Sequence, residues 1–214
     1  MGKRQYGQFC GLVRAVELVG ERWALLIVRD LLVAPKRYTD LKRGLPRIPT
    51  NVLSARLKEL ETAGIVERRL RPRPDGSVEY ALTEYGADLE DAVLAFGRWG
   101  ARALGEPGPD EIITSDSLVI ALRTAFLPEA AAEEADATYE IRLGDVVVHA
   151  RVDGGELVAG TGEADGADLV IETGPAFRAL LAGELAPDDA VADGSVAITG
   201  PKELLAAFTR SFRI

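Results

Sequence analysis

Before Gly64 the apolar residues of this chain recur every three or four positions, and after it they alternate. That change of period constrains the first half more than any other feature. Residues 8–19 place Leu12, Val16 and Val19 on one helical stripe, and Gly20 interrupts it. The run ERWALLIVRDLLV (21–33) is apolar nearly all round, the pattern of a buried helix, and Pro35 stops it. TDLKRGL predicts a short helix capped by Thr39. Pro46 and Pro49 bracket a turn, and Thr50 is the expected N-cap of a further helix that Gly64 closes. IVERRLRP and VEYALT then alternate around RPDG, a β-hairpin signature. Thr83 offers the next cap, and one long helix is expected over roughly 84–104.

Helix, helix, turn, helix, hairpin, helix is the order of a winged helix-turn-helix. In the stretch RIPTNVLSARLKELETAG (47–64), Ile48, Leu53, Leu57 and Leu60 form one stripe that packs on the preceding helices. Asn51, Ala55, Lys58 and Thr62 then point away, with Ser54 and Arg56 on the flanks. A helix clamped by its apolar side, with short polar groups outward, suits the major groove of DNA. Asn pairs bidentately with adenine and Arg with guanine, while the N–H groups at the helix start, near Thr50, suit a phosphate. Arg68, Arg69, Arg71 and Arg73 crowd the hairpin, with Arg69, Arg71 and Arg73 on one side. Such a wing suits phosphate contact or minor-groove insertion. The expected DNA-binding set is therefore Thr50, Asn51, Ser54, Arg56, Lys58, Arg69, Arg71 and Arg73. For any one of these the competing reading is an ordinary solvated surface residue.

The net charge of −9 argues against nucleic acid only while the 214 residues are taken whole. Residues 1–105 carry 18 Lys/Arg against 13 Asp/Glu, whereas 106–214 carry 7 against 21. Within 36–73 there are 11 basic and 4 acidic residues. A basic segment joined to an acidic remainder is a hint of a nucleic-acid face, the competing reading being a half that is merely more acidic by drift.

In these motifs the chain resembles a known family. FCGLVRAVELVGERWALLIVRDLL, RYTDLKRGLPRIPTNVLSARLKELETAGIVERR, VEYALTEYG and RWG fall in the order of the HxlR-type winged-helix transcriptional regulators, over about residues 8–103. The resemblance implies a homodimer on an inverted-repeat operator, with terminal helices supplying much of the dimer contact. Some members sense oxidants or electrophiles through a cysteine at the position of Cys10. An exposed, low-pKa thiol would fit that role. The other reading makes Cys10 a small buried core residue, and it is preferred here because the second half offers a separate sensing domain.

GEPGPDE (105–111) reads as a linker between residues 1–104 and 112–214. Beyond it the periods mix: a helix in 118–127, strands in TYEIRL, DVVVHARV, GELVAGTG, ADLVIET and GSVAIT, and helices in PAFRALLAGEL and KELLAAFTRSF. The expected class is α+β throughout. The closing segment looks like the sterol-carrier-type lipid-binding fold. That resemblance implies an apolar small-molecule effector, with Phe177, Leu180, Leu181, Leu204, Phe208 and Phe212 as candidate lining. The same residues are what any helix-on-sheet core would bury.

Catalytic motifs find little footing. His149 is the lone histidine and reads as a structural strand residue, no G-x-S-x-G occurs, and the glycines of DGGELVAGTG make no dinucleotide fingerprint. No enzyme activity, metal or cofactor is expected. Asp188 and Asp189 read as solvated loop. No run approaches the roughly 18 apolar residues of a membrane span, no signal peptide is recognisable, and one cysteine fits a reducing cytoplasm. The competing functional classes are a thiol-based regulator acting through Cys10, a lipid or small-molecule carrier with an N-terminal partner-binding module, and an enzyme using a C-terminal pocket.

Overall fold

The computed structural model describes residues 6–71, 76–105, 107–108 and 110–214. Arg73 of the expected wing lies outside them. The chain is α+β and divides into two compact units, Met1–Val93 and Leu94–Ile214.

The first unit carries helices α1 (Gly11–Val19), α2 (Ala24–Val33), α3 (Tyr38–Gly44) and α4 (Thr50–Thr62), then strands β2 (Val66–Leu70) and β3 (Val78–Leu82). A two-residue strand β1 (Lys36–Arg37) pairs with β3, giving a three-stranded sheet of order β1-β3-β2. The expected stripe of α4 is real: Ile48, Leu53, Leu57 and Leu60 are all buried, together with Ile27, Val28 and Leu31 of α2 and Leu41 of α3.

Three boundaries differ from expectation. Thr50 is the first residue of α4 rather than its cap, because Pro49 takes the extended cap conformation before it. Arg37, not Thr39, caps α3, with Asp40 returning a carboxylate to the Arg37 N–H. The long helix expected over 84–104 is broken into α5 (Glu84–Ala87) and α6 (Glu90–Ala101). Thr83 caps α5 as expected, its hydroxyl accepting from the Gly86 N–H at 3.0 Å. Gly86 lies so close to the Ile65 carbonyl that a β-carbon there would overlap it. Gly86→Ala is therefore expected to lower the melting temperature by several degrees, as a backbone clash costs on the order of 1–3 kcal/mol; thermal unfolding by circular dichroism reads it.

In the second unit a five-stranded sheet has the order β6-β5-β4-β7-β8. Its strands are β4 (Ala137–Leu143), β5 (Val146–Asp153), β6 (Glu156–Thr161), β7 (Leu169–Thr173) and β8 (Val196–Thr199). β4 and β7 are parallel and the other pairs antiparallel. Helices α7 (Ser115–Ala125), α8 (Pro128–Ala131), α9 (Ala176–Ala182), α10 (Pro187–Ala192) and α11 (Lys202–Ser211) complete it. Asp188 and Asp189 thus open a short helix instead of lying in a loop, with Pro187 starting it. Alternation buries Tyr139 and Ile141 of β4, Val148 and Ala150 of β5, and Leu169 and Ile171 of β7. Burial pushes the Tyr139 phenol up to about 12.

The sheet's other face carries Glu140 and His149, directly paired across β4 and β5. Glu140 accepts from the Ala164 N–H at 2.8 Å and from Arg142 at 2.6 Å, while His149 Nδ1 lies 3.2 Å from the Gly162 carbonyl. Burial works against charge on Glu140, but the Ala164 N–H and the Arg142 guanidinium outweigh it and hold the carboxyl below its usual range. These two side chains hold the connection from β6 to β7 against the sheet. His149 is used in that tie.

Candidate nucleic-acid interface

The polar face of α4 is open. Asn51, Ser54, Ala55, Lys58 and Thr62 are exposed on the side opposite Leu53, Leu57 and Leu60. No side chain caps α4, so the N–H groups of its first turn, at Thr50 and Asn51, are not taken up by a capping residue. One flank is fixed by Tyr38, whose hydroxyl donates to the Thr50 carbonyl at 2.9 Å and accepts from Ser54 at 3.3 Å. Lys42 donates to the Pro46 carbonyl at 2.9 Å and so holds the turn between α3 and α4.

Arg56 takes a different place from its neighbours. Its side chain is 11% exposed and is paired with Glu59 at 2.5 Å and Glu21 at 3.7 Å. It clamps α4 to the turn before α2, whereas Asn51, Ser54 and Lys58 stay on the exposed polar face. Spacing along α4 alone could not reveal this, since Glu21 is distant in sequence.

Behind the exposed polar face, α4 and the hairpin are joined by a short chain of hydrogen bonds. Gly64 adopts φ +71°, which only glycine accepts freely, and turns the chain out of the helix. The Ile65 N–H returns to the Leu60 carbonyl at 3.0 Å. Thr83 Oγ1 donates to the Gly64 carbonyl at 2.6 Å, and the Thr83 N–H bonds the Ile65 carbonyl at 3.0 Å. Out on the wing, Arg69 pairs with Glu67 at 2.6 Å and Arg71 with Glu79 at 3.3 Å, whereas Arg68 lies 6.0 Å from the Tyr80 ring centre. All three arginines are exposed. Surface pairs of this kind are worth at most about 1 kcal/mol and exchange readily for a phosphate.

A model of the HxlR-like helix-turn-helix matches residues 18–107. The uncharacterized HTH-type transcriptional regulator YvaP of Bacillus subtilis is 37% identical over 86 residues, spanning 40% of this chain and 80% of that protein. The HTH-type transcriptional regulator YodB of the same organism is 39% identical over 94 residues, spanning 44% of this chain and 83% of its own. This chain belongs to the HxlR-like family. Among solved structures, the reduced form of YodB is 36% identical, with a TM-score of 0.40, and covers 47% of this chain and 99% of that one. The HxlR-like part is the N-terminal part, and this chain is a transcriptional regulator with a DNA-binding helix-turn-helix. No helix among the described residues is long and apolar enough to cross a membrane. Among them, no group of three or more His, Cys, Asp or Glu is placed to hold a metal ion.

Cys10 is exposed, which overturns the expectation of a buried core residue. It precedes the first residue of α1, where helix N–H groups have no intrahelical partner. Backbone N–H groups of Val13 and Leu12 hold the thiol below its ordinary value. Iodoacetamide should therefore alkylate Cys10 with a half-maximal pH below that of free cysteine. A pH profile matching the free amino acid would contradict this.

The residues expected to line an apolar pocket sit in the core of the second unit. Phe177, Leu180, Leu181, Phe208 and Phe212 are buried, and Leu204 is half-buried. The Phe208 and Phe212 rings stack at 4.5 Å, with Tyr139 edge-on to Phe208 at 5.1 Å and Phe177 at 6.1 Å. These rings fill space against one another.

Proposed function

We propose that this regulator works as a homodimer that reads an inverted-repeat operator, with α4 in the major groove and the β2–β3 hairpin along the flanking backbone. Asn51 and Lys58 are the base-reading candidates, Thr50 and Ser54 lie at the helix start, and Arg69 and Arg71 take phosphates. The single observation that carries this reading is the open polar face of α4, held from behind by Leu53, Leu57 and Leu60. Dimerisation is supported by large apolar groups left in solvent on each terminal helix of the HxlR-like part: Phe9 and Leu12 around the start of α1, and Phe96 and Trp99 on α6. The second unit supports the dimer or answers an effector. The mutual packing of Phe177, Phe208 and Phe212 favours support over an apolar ligand site.

The test is retardation of a labelled fragment upstream of the regulated gene, in excess unrelated DNA. Retention of the fragment is expected. Asn51→Ala should shift preference among operator variants, by about 1–3 kcal/mol at one base position. If Asn51→Ala weakens every sequence equally, Asn51 is no base reader. If the fragment is not preferred over unrelated DNA, the proposal fails.

A second reading rests on Cys10. Its exposure and lowered pKa suit thiol-based sensing, in which its thiolate attacks an electrophile and the adduct alters dimer geometry. Cys10→Ser should then bind the operator as before but lose its response to electrophiles.

A further inference from the structure

The β2–β3 hairpin has two unlike faces. Leu70 is paired with Val78 and Arg68 with Tyr80, whereas Arg69 is paired with Glu79. Alternation therefore puts Arg68, Leu70, Val78 and Tyr80 on one face, and Arg69, Arg71 and Glu79 on the other. On the second face charge is balanced locally, since Arg69 pairs with Glu67 and Arg71 with Glu79. On the first face Leu70 is 76% exposed, with Val78 and Tyr80 half-buried beside it. A single leucine in solvent is ordinary. This one stands directly across from Val78 and diagonally from Tyr80, so the apolar surface is continuous. It is also held out. The ladder is closed on both sides of it, through Arg69 opposite Glu79 and through the Arg71 N–H, which donates to the Ser77 carbonyl at 2.9 Å. The Arg68 guanidinium lies 6.0 Å from the Tyr80 ring centre on this same face, with no carboxylate paired to it among the described residues. The hairpin thus presents an apolar group and a cation together, within a segment (36–73) that has 11 basic and 4 acidic residues.

We propose that Leu70 enters the minor groove of bound DNA as a wedge and opens a base step, with Arg68 beside it. The walls of that groove are sugar carbons, which suit a leucine, and its negative potential suits a guanidinium. Apolar side chains used in this way partly unstack one step and kink the duplex toward the major groove. Pyrimidine–purine steps unstack most easily, so Leu70 adds a preference for TA or CA at a position where no polar group reads a base. This inference rests on the proposed placement of the hairpin at DNA, but it does not require α4 to prefer any sequence.

The experiment binds the full chain to duplexes that carry 2-aminopurine, an adenine analogue that brightens when unstacked. The analogue is placed at successive flanking positions of the operator fragment, and in an unrelated A·T-rich duplex at about 50 mM salt. Brightening is expected at a flanking TA or CA step, with a bend of about 20° or more read by end-to-end energy transfer. Leu70→Ser should abolish both. Because the side chain is exposed, the circular dichroism spectrum should not change, and because no charge is altered, the salt slope should not change. Leu70→Met should restore brightening and bend, as it keeps an apolar group of similar volume. Three results overturn the wedge: no brightening at any position of bound DNA, brightening undiminished in Leu70→Ser, or a Leu70→Ser variant that changes sedimentation mass while the bend persists, which would make the patch a contact between copies. If the unrelated duplex is bound and kinked with no preference for the operator fragment, the operator reading fails and the wedge stands. If the operator fragment is preferred but stays stacked, the wedge fails alone. Binding to neither duplex overturns both.

Discussion

Replacement of Phe208 by alanine is expected to remove about 3–5 kcal/mol of stability from the second unit. The ring is fully buried and touches Phe212, Tyr139 and Phe177, so its loss opens a hole among three aromatic neighbours that cannot all move in. Edge-to-face and stacked contacts add about 0.5–1.5 kcal/mol per pair to the plain burial term. Urea unfolding followed by circular dichroism measures the change. A shift of under about 1 kcal/mol, within the range of ordinary surface substitutions, would mean that the rings surround a space that can collapse or be filled. That outcome would also return weight to an apolar effector in this unit.

The second large effect is the response of operator binding to salt. A dimer that neutralises six or more phosphates loses roughly 10³-fold or more in affinity between 50 and 200 mM salt. Arg71→Glu should weaken binding to every duplex alike and flatten the salt dependence by about one unit of slope for each phosphate left without its cation. Arg71 spends its charge on Glu79 in the free protein, across 3.3 Å, so the exchange for a phosphate is inexpensive. The same measurement on Asn51→Ala should leave the slope unchanged. A flat salt response in the unaltered protein would remove the wing from the interface.

The features legible in sequence are those set by local period. The stripe of Ile48, Leu53, Leu57 and Leu60 is readable because each turn of helix repeats the demand for an apolar group. Gly64 at the end of α4 and Thr83 at the start of α5 are readable because capping is local chemistry. Features that depend on distant partners are not. Strand β1 is two residues between Pro35 and a helix, too short to show alternation, and it exists because β3 offers it a free edge. The break at Asp88 and Leu89 lies beside Gly86, whose backbone packs against the Ile65 carbonyl, a partner distant in sequence. By spacing Arg56 is a flank residue available to DNA, and only Glu21 and Glu59 together draw it inward. The lowered pKa of Cys10 comes from two backbone N–H groups at a helix start, a position that composition does not disclose.

The bonds that run from Leu60 and Gly64 through Ile65 to Thr83 have a mechanical consequence. They tie α4 to the β-finger beside it, so that a movement of one is passed to the other. If two copies read one operator, as proposed above, control acts on helix and finger together, by changing the distance or tilt at which the copies meet the double helix.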